Sequence, residues 1–510
     1  MPTYTGDDNN NVFAAPNDGL AWVFSGKGGN DVLTGGVKDD KVDGGAGNDT
    51  LNGGAGKDTI IGGAGYDTLN GGDGDDILID TDGIVDGGVG IDTLKADYSL
   101  FNNGVGIEVG YNGENAIYSD DNSIIPGSGL GYNASVLLKY SNIEKFEITG
   151  TQYADVLRGG ANNDILKGGA GNDILDGGAG NDILDGGTGN DSITGGAGND
   201  TITGGAGYDY LFGGDGDDIL IDTDGSVDGG VGIDTLRSDY SLLNNGAGVD
   251  VGYLGYSQIF SRLTGQGILG YSNIEKFDIT GTKYTDVLRG AAGNDILKGG
   301  AGDDEIRGGA GNDILDGGTG NDYLFGGDGN DILIDTNGSI DGGAGIDTLR
   351  ADYSLLDNGA GVHVGYLGQN QIFSRLTGTG ILGYSNIEKF EITGTKYADV
   401  LQGGAGNDIL KGGAGNDTIT GGVGNDTLTG GLGADNFVFN SKLEGIDVIK
   451  DFSWAEGDKI QISKVGFGIT DVNSFSYNNV TGGLLFQGTQ FATLENKPAG
   501  FAVSLDIQLV

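Results

Sequence analysis

Across residues 150–221 a large aliphatic side chain returns at every ninth position, as Leu157, Leu166, Leu175, Leu184, Ile193, Ile202, Leu211 and Leu220, among glycine, aspartate and small polar residues. One apolar position in nine is too sparse for the stripe of an amphipathic helix, which needs about three or four per two turns. Each beat falls in a unit G-G-x-G-x-D-x-U-x, with U the aliphatic residue, and residues 168–176 and 177–185 are two successive copies. The first six positions read as a turn, because glycine supplies the positive φ and the close backbone approach that a turn demands. The remaining x-U-x reads as a brief strand with one inward side chain. Two turns and two strands make a coil of eighteen residues, and such coils stack. The predicted fold class is all-β, a right-handed parallel β-roll or β-solenoid.

Stacking at that period superposes every second turn. It brings Asp155, Asp173, Asp191 and Asp209 into one column and Asp164, Asp182, Asp200 and Asp218 into another. Carboxylates at strand spacing repel one another, so such a column is unfavourable without cations between its members. Calcium suits the gap, being a hard ion that takes about six to eight oxygens in a tolerant geometry, here two carboxylates with carbonyl oxygens of the glycine-rich backbone. The same pattern elsewhere adds Asp31, Asp49, Asp58, Asp67 and Asp76 in a first run, Asp286, Asp295, Asp304, Asp313, Asp322 and Asp331 in a third, and Asp399, Asp408, Asp417, Asp426 and Asp435 in a fourth. The unit at residues 35–43 is the weakest, because Lys38 stands where the last turn glycine belongs. A solvated acidic turn that binds nothing is the plain alternative. A phosphate loop fits less well, since the local G-x-G-x-x-G matches recur without a βαβ unit and G-x-x-x-x-G-K-[ST] does not occur.

This nonapeptide resembles the RTX, or hemolysin-type, calcium-binding repeat, and the resemblance covers most of the chain. It implies calcium as the cofactor, export of the unfolded chain through a type I secretion apparatus, and folding outside the cell. The closing repeat at residues 430–439 exchanges its aliphatic residue for aromatics, and Asp447-Val-Ile-Lys-Asp-Phe452 follows. That stretch resembles the terminal cap shared by secreted metalloproteases of the serralysin type and the R-modules of alginate epimerases. Residues 505–510, an acidic residue among apolar ones, resemble an uncleaved type I secretion signal.

Charge sharpens the picture. The chain has 510 residues, 74 acidic against 26 basic, a net charge of -48, 109 glycines and no cysteine. Without metal, so much charge and glycine predict disorder. If each run of repeats offers two fewer gaps than it has units, about 17 calcium ions are held, and folding and metal binding become one equilibrium. The acidity excludes a nucleic-acid partner, since no basic stripe appears. Disulfides are excluded by composition. Residues 1–25 hold no lysine or arginine and their longest apolar run is five residues, so no secretory signal peptide is expected, nor any transmembrane segment.

A longer period overlies the short one. Residues 91–99 recur at 233–241 and 346–354, and residues 140–150 recur from Tyr271 and Tyr384. The predicted order is an N-terminal cap with a first calcium roll (1–95), an insert (96–149), a second roll (150–237), an insert (238–280), a third roll (281–350), an insert (351–393), a fourth roll (394–435) and a C-terminal cap with the signal (436–510). Before each insert a seven-residue unit stands at 80–86, 222–228 and 335–341. An EF-hand fragment is one reading, but no glutamate closes a twelve-residue loop; the better one is a shortened turn whose Val85, Val227 and Ile340 fill the U place. The inserts carry most of the aromatics. Tyr253, Tyr256 and Arg262 make a candidate carbohydrate or surface patch, against the plainer reading that wider β coils bury the rings. Residues 119–126 set the first insert apart and read as a tolerant loop.

Catalysis finds little support. His363 is the single histidine, and it aligns with Glu108 and Asp250 of the sister inserts as a substitute for an acid. A zinc protease needs H-E-x-x-H and a third histidine, and a lipase needs G-x-S-x-G with a histidine base. Paired carboxylates leave a glycosidase open by composition, although no segment resembles a catalytic domain. The function read from the sequence is a secreted calcium-binding repeat protein, not an enzyme, with a structural, surface-layer, matrix or adhesive role. The alternatives are a polysaccharide enzyme using insert carboxylates and a specific glycan- or ice-binding adhesin. The partners are calcium, the secretion apparatus, and a cell surface, a glycan or further copies of the chain.

Overall fold

The computed structural model describes residues 1–102, 104–110, 113–119, 135–244, 246–252, 255, 257–357, 359–365 and 368–510. It contains two compact units, Met1–Ser238 with Gly267–Glu275, and Asp239–Gln266 with Lys276–Val510. Both are parallel β-rolls.

In the first unit the chain crosses between two sheets at every repeat. Strands Ile165–Ala170, Ile183–Thr188 and Thr201–Ala206 pair in parallel on one side. Strands Ile174–Ala179, Ser192–Ala197 and Tyr210–Asp215 do so on the other. The U residues of both sheets point inward, and Leu166, Leu175, Leu184, Ile193, Ile202, Leu211 and Leu220 are buried as a double row one side chain thick. A single buried aliphatic residue does not offset the conformational entropy of ordering nine residues, so apolar burial alone cannot hold this roll.

The strands are longer than x-U-x. They run six residues into the glycines, with Gly169 paired to Gly187. The reason is backbone proximity: Gly187 sits at φ +100°, and a Cβ there would strike the carbonyl oxygen of Gly169. Only glycine allows the ladder to continue into the corner.

The shortened unit stays in the roll, with Val85 opposite Leu69 and Val227 opposite Leu211 in the first unit, and Ile340 opposite Leu324 in the second. Each insert adds something that the wider-coil reading lacks, an antiparallel strand. In the first, Ala116–Ser119 runs antiparallel to both Ile107–Val109 and Ser135–Ser141, and the last returns in parallel to Gly83–Val89. In the second unit Gln371–Ser374 does the same between Val362–Val364 and Gly380–Ser385. Rings are enclosed there, Tyr140 edge-on to Phe146 and Tyr384 edge-on to Phe390, both at 5.2 Å between centroids. Tyr253, Tyr256 and residues 120–126 lie outside the described residues, and Arg262 is exposed.

Aromatics close an end of each unit. Near the amino terminus Val12–Ala14 pairs with Val32–Thr34, and Phe13 stacks on Tyr4 at 4.2 Å and packs near Phe24. In the second unit Phe437, Phe439, Phe452, Phe467, Phe475, Phe486 and Phe491 form a buried cluster over the last repeats. Residues Ile507–Leu509 pair with Lys459–Ile462, so the signal-like tail is a strand of the cap.

Candidate metal centres

The corners carry the chemistry. At each turn the backbone N–H of one aspartate donates to Oδ1 of the aspartate one coil further on. Asp155 donates to Asp173, Asp173 to Asp191 and Asp191 to Asp209, each at 2.8 Å. On the opposite edge Asp164 donates to Asp182 at 2.7 Å, and Asp182 to Asp200 and Asp200 to Asp218 at 2.8 Å. The two columns are therefore real, and their members are buried to 1% exposure or less.

Orienting Oδ1 in this way leaves Oδ2 facing the gap. Across the first unit Oδ2 of Asp31, Asp49, Asp58, Asp67, Asp76, Asp173, Asp182, Asp191, Asp200, Asp209 and Asp218 is buried with no hydrogen-bond donor. Across the second the same holds for Asp304, Asp313, Asp322, Asp331, Asp417, Asp426 and Asp435. Each of these oxygens comes up against the first glycine of its own turn and, in the regular coils, a glycine carbonyl of the next. A Cβ placed on Gly177 would lie 2.6 Å from the Gly195 oxygen and collide with Oδ2 of Asp182. The space a methyl would fill is thus lined by oxygen acceptors, and buried acceptors without donors are unfavourable unless a cation lies among them.

Electrostatics agree. Burial, followed by repulsion from Asp155 and Asp191, pushes the Asp173 carboxyl up to about 8 against the hydrogen bond from Asp155. Burial likewise raises Asp200 and Asp304 to about 7 and Asp191 to about 6. Among the described residues no three or more His, Cys, Asp or Glu side chains gather as a metal-binding group. An ion in these gaps must complete its shell with backbone carbonyls, which suits a hard, oxygen-seeking cation of flexible coordination and not zinc or copper.

Six of the expected aspartates stand differently. Oδ2 of Asp155, Asp164, Asp286, Asp295, Asp399 and Asp408 accepts the backbone N–H four residues earlier, from Thr151 and Gly160 at 2.6 Å, Thr282 and Thr395 at 2.7 Å, and Ala291 and Gly404 at 2.8 Å. These are the first two turns after each insert, where the second oxygen is already engaged by the protein. Asp40, in the unit with Lys38, is closed in the same way by Gly36. A signal was present for three of them: threonine replaces the second glycine, and its hydroxyl also bonds the carboxylate, at 3.1 Å for Thr151 and Asp155.

Other members were missed. Asp92, Asp234 and Asp347 extend the columns one coil past the seven-residue units, and their Oδ2 atoms are open. Their N–H groups donate to Glu144, Glu275 and Glu388 at 2.9, 3.0 and 2.9 Å, so the recurring Asn-Ile-Glu phrase of the inserts ends each column. In the cap Asp447 and Asp458 take over as partners of Asp426 and Asp435, at 3.1 and 2.9 Å. Asp80, Asp222 and Asp335 are also buried and open at Oδ2.

A family model for the RTX calcium-binding nonapeptide repeat matches residues 25–60, 53–79, 149–184, 185–220, 280–315, 307–334, 391–419 and 402–437. No curated protein matches the chain. Among solved structures the extracellular lipase LipA from Serratia marcescens is similar at 22% identity over 47% of this chain and 41% of that one, with a TM-score of 0.17, too low to carry an argument. The chain thus spans less than half the length of that lipase. Most of the open carboxylates lie within the matched segments, and the chain accordingly carries several runs of RTX calcium-binding nonapeptide repeats.

Proposed function

We propose that this is an extracellular structural protein, part of a surface layer, matrix or adhesive coat, that leaves the cell unfolded through a type I apparatus and folds on calcium outside. One observation carries the reading: row upon row of buried carboxylate oxygens with no donor of their own. One ion per open corner puts the number of ions on the order of twenty. Extracellular calcium modules bind at about 10⁻⁴ to 10⁻³ M, so the low calcium of a cell interior leaves such a chain extended, and folding outside favours forward transport. Circular dichroism is expected to show coil in chelator and β-structure at millimolar calcium. A β-rich spectrum in chelator would overturn the proposal.

A second reading, glycan adhesion, has one specific support. In the third insert a cavity of about 310 Å³ is lined by Gln369, Asn370, Tyr384, Asn386, Glu388 and Gln402 among others. Neutral amides beside an aromatic ring match the hydroxyl pattern of a sugar, and the volume lies at the small end of ligand pockets. A glycan array with calcium-loaded protein is expected to show binding that Gln402→Arg abolishes; an array without hits removes this reading.

A further inference from the structure

The three seven-residue units do more than shorten a coil. Asp80 stands eighteen residues after Gly62, where the regular repeat would place a glycine whose carbonyl lines the gap. Its carboxylate takes the place of that carbonyl. A Cβ on Gly62 would lie 2.6 Å from Oδ2 of Asp80 and 2.7 Å from Oδ2 of Asp67, so the two oxygens converge on one point. At Gly204 the same point lies 2.7 Å from Oδ2 of Asp209 and 2.9 Å from Oδ2 of Asp222. Both Asp335 and Asp322, the corresponding pair of the third copy, are buried with Oδ2 open.

The second carboxylate is held in position. Its Oδ1 accepts the N–H groups of the next two residues, at 2.8 and 3.4 Å for Asp80, 2.7 and 3.3 Å for Asp222, and 2.6 and 3.2 Å for Asp335. That leaves Oδ2 in each case without a donor, and at Gly62 and Gly204 the open oxygens of the two carboxylates face one point. Beside two of these turns a buried tyrosine is fixed, Tyr98 donating to the Thr81 carbonyl at 2.7 Å and Tyr353 to the Thr336 carbonyl at 2.8 Å.

We infer that Asp67 with Asp80, Asp209 with Asp222, and Asp322 with Asp335 form a second class of divalent-cation site, distinct from the nonapeptide sites, that fills first as calcium rises. It deepens the calcium-folding proposal above and rests on it. Two convergent carboxylates in place of a carboxylate and a carbonyl add one formal negative charge to the cage, and ligand charge is what sets calcium affinity at otherwise similar sites. Each of the three stands at the end of a roll, just before an insert, so early filling would order that junction before the rest of the roll.

Calcium titration of the full-length chain by calorimetry, with chelator competition, tests this. The expected result is a class of about three ions bound roughly tenfold more tightly than the remainder. In Asp80→Asn/Asp222→Asn/Asp335→Asn that class should vanish while the weaker class persists. Should the triple variant fail to fold, Asp335→Asn alone is expected to remove one tight ion. With terbium as the probe, emission at the lowest loading is expected to depend in part on Tyr98 and Tyr353, and Tyr98→Phe/Tyr353→Phe should lower it. A single class of sites in the wild-type chain, or a tight class that survives in the variants, would sink the inference, because the paired carboxylates would then share a proton and not an ion. Calcium-induced β-structure would still appear in that case, whereas its absence would refute the folding proposal itself.

Discussion

At the residue scale the two kinds of turn glycine do different work, and substitution separates them. Gly186 has an ordinary backbone, but a Cβ on it would meet Oδ2 of Asp191 and come within 2.6 Å of the Gly204 carbonyl, inside the ion cradle. Gly186→Ala is therefore expected to lose an ion, detected as reduced calcium stoichiometry, with little intrinsic backbone penalty. Gly187→Ala adds a side chain at φ +100° against the Gly169 carbonyl. It should destabilise the calcium-saturated protein by more than about 1 kcal/mol in denaturant unfolding. Proton competition follows from the same corners. In the metal-free fold Asp173, Asp200 and Asp191 are raised to about 8, 7 and 6 against an ordinary value of 3.8. A carboxyl raised on folding favours the metal-free fold at low pH, and that contribution is lost as pH rises through the raised values. The metal-free chain is a coil, however, in which these carboxyls ionise around the ordinary 3.8, so the calcium concentration at the folding midpoint is expected to stay level between pH 8 and pH 6 and to rise only as the pH falls toward about 4. A midpoint that already rose between pH 8 and pH 6 would mean that a folded, protonated metal-free state is populated before calcium arrives.

At the scale of elements, the repeat is legible in the sequence because its restraint is local: one aliphatic position and one aspartate per nine residues decide which way each turn faces. The columns of Asp173, Asp191 and Asp209 follow from period alone. Strand length does not, because Gly169 pairs with Gly187 only when another coil lies beside it. Nor do the column ends, since Glu144 lies 52 residues from the Asp92 it caps. Glu388→Ala would leave the Asp347 N–H without its acceptor and is expected to cost about 1–3 kcal/mol in the calcium-loaded protein. The antiparallel strand Ala116–Ser119 was hidden for a similar reason, because its neighbours are set by long-range pairing. One covariation between each insert and the roll that follows it becomes intelligible only in three dimensions. Arg158 pairs with Glu108 at 2.9 Å and Arg289 with Asp250 at 2.5 Å, whereas the third copy holds Gln402 and His363 at those places. Acid and base were exchanged together, which leaves no buried charge unpaired at that position and leaves Gln402 lining the cavity. His363→Glu/Gln402→Arg should restore the pair with a change in stability below about 1 kcal/mol.

At the scale of the whole molecule, no cysteine braces the chain and its net charge is -48, so cohesion has to come from something added. An ion at every open corner would bring in charge of the opposite sign comparable to that excess, and self-repulsion would fall as structure forms. Charge and fold are thereby tied, and they should change together under one titrant. Electrophoretic mobility measured alongside circular dichroism is expected to fall steeply over the same calcium range in which β-structure appears. Magnesium tests whether charge alone suffices. It carries the same charge but demands a near-ideal octahedron at about 2.0–2.1 Å and gives up its water reluctantly, whereas these corners offer backbone carbonyls fixed by the glycine ladder. Millimolar magnesium is therefore expected to lower the mobility slightly by screening while the spectrum stays that of coil. If magnesium folded the chain as well as calcium does, the corners would be acting as a diffuse counter-charge layer and not as shaped cages.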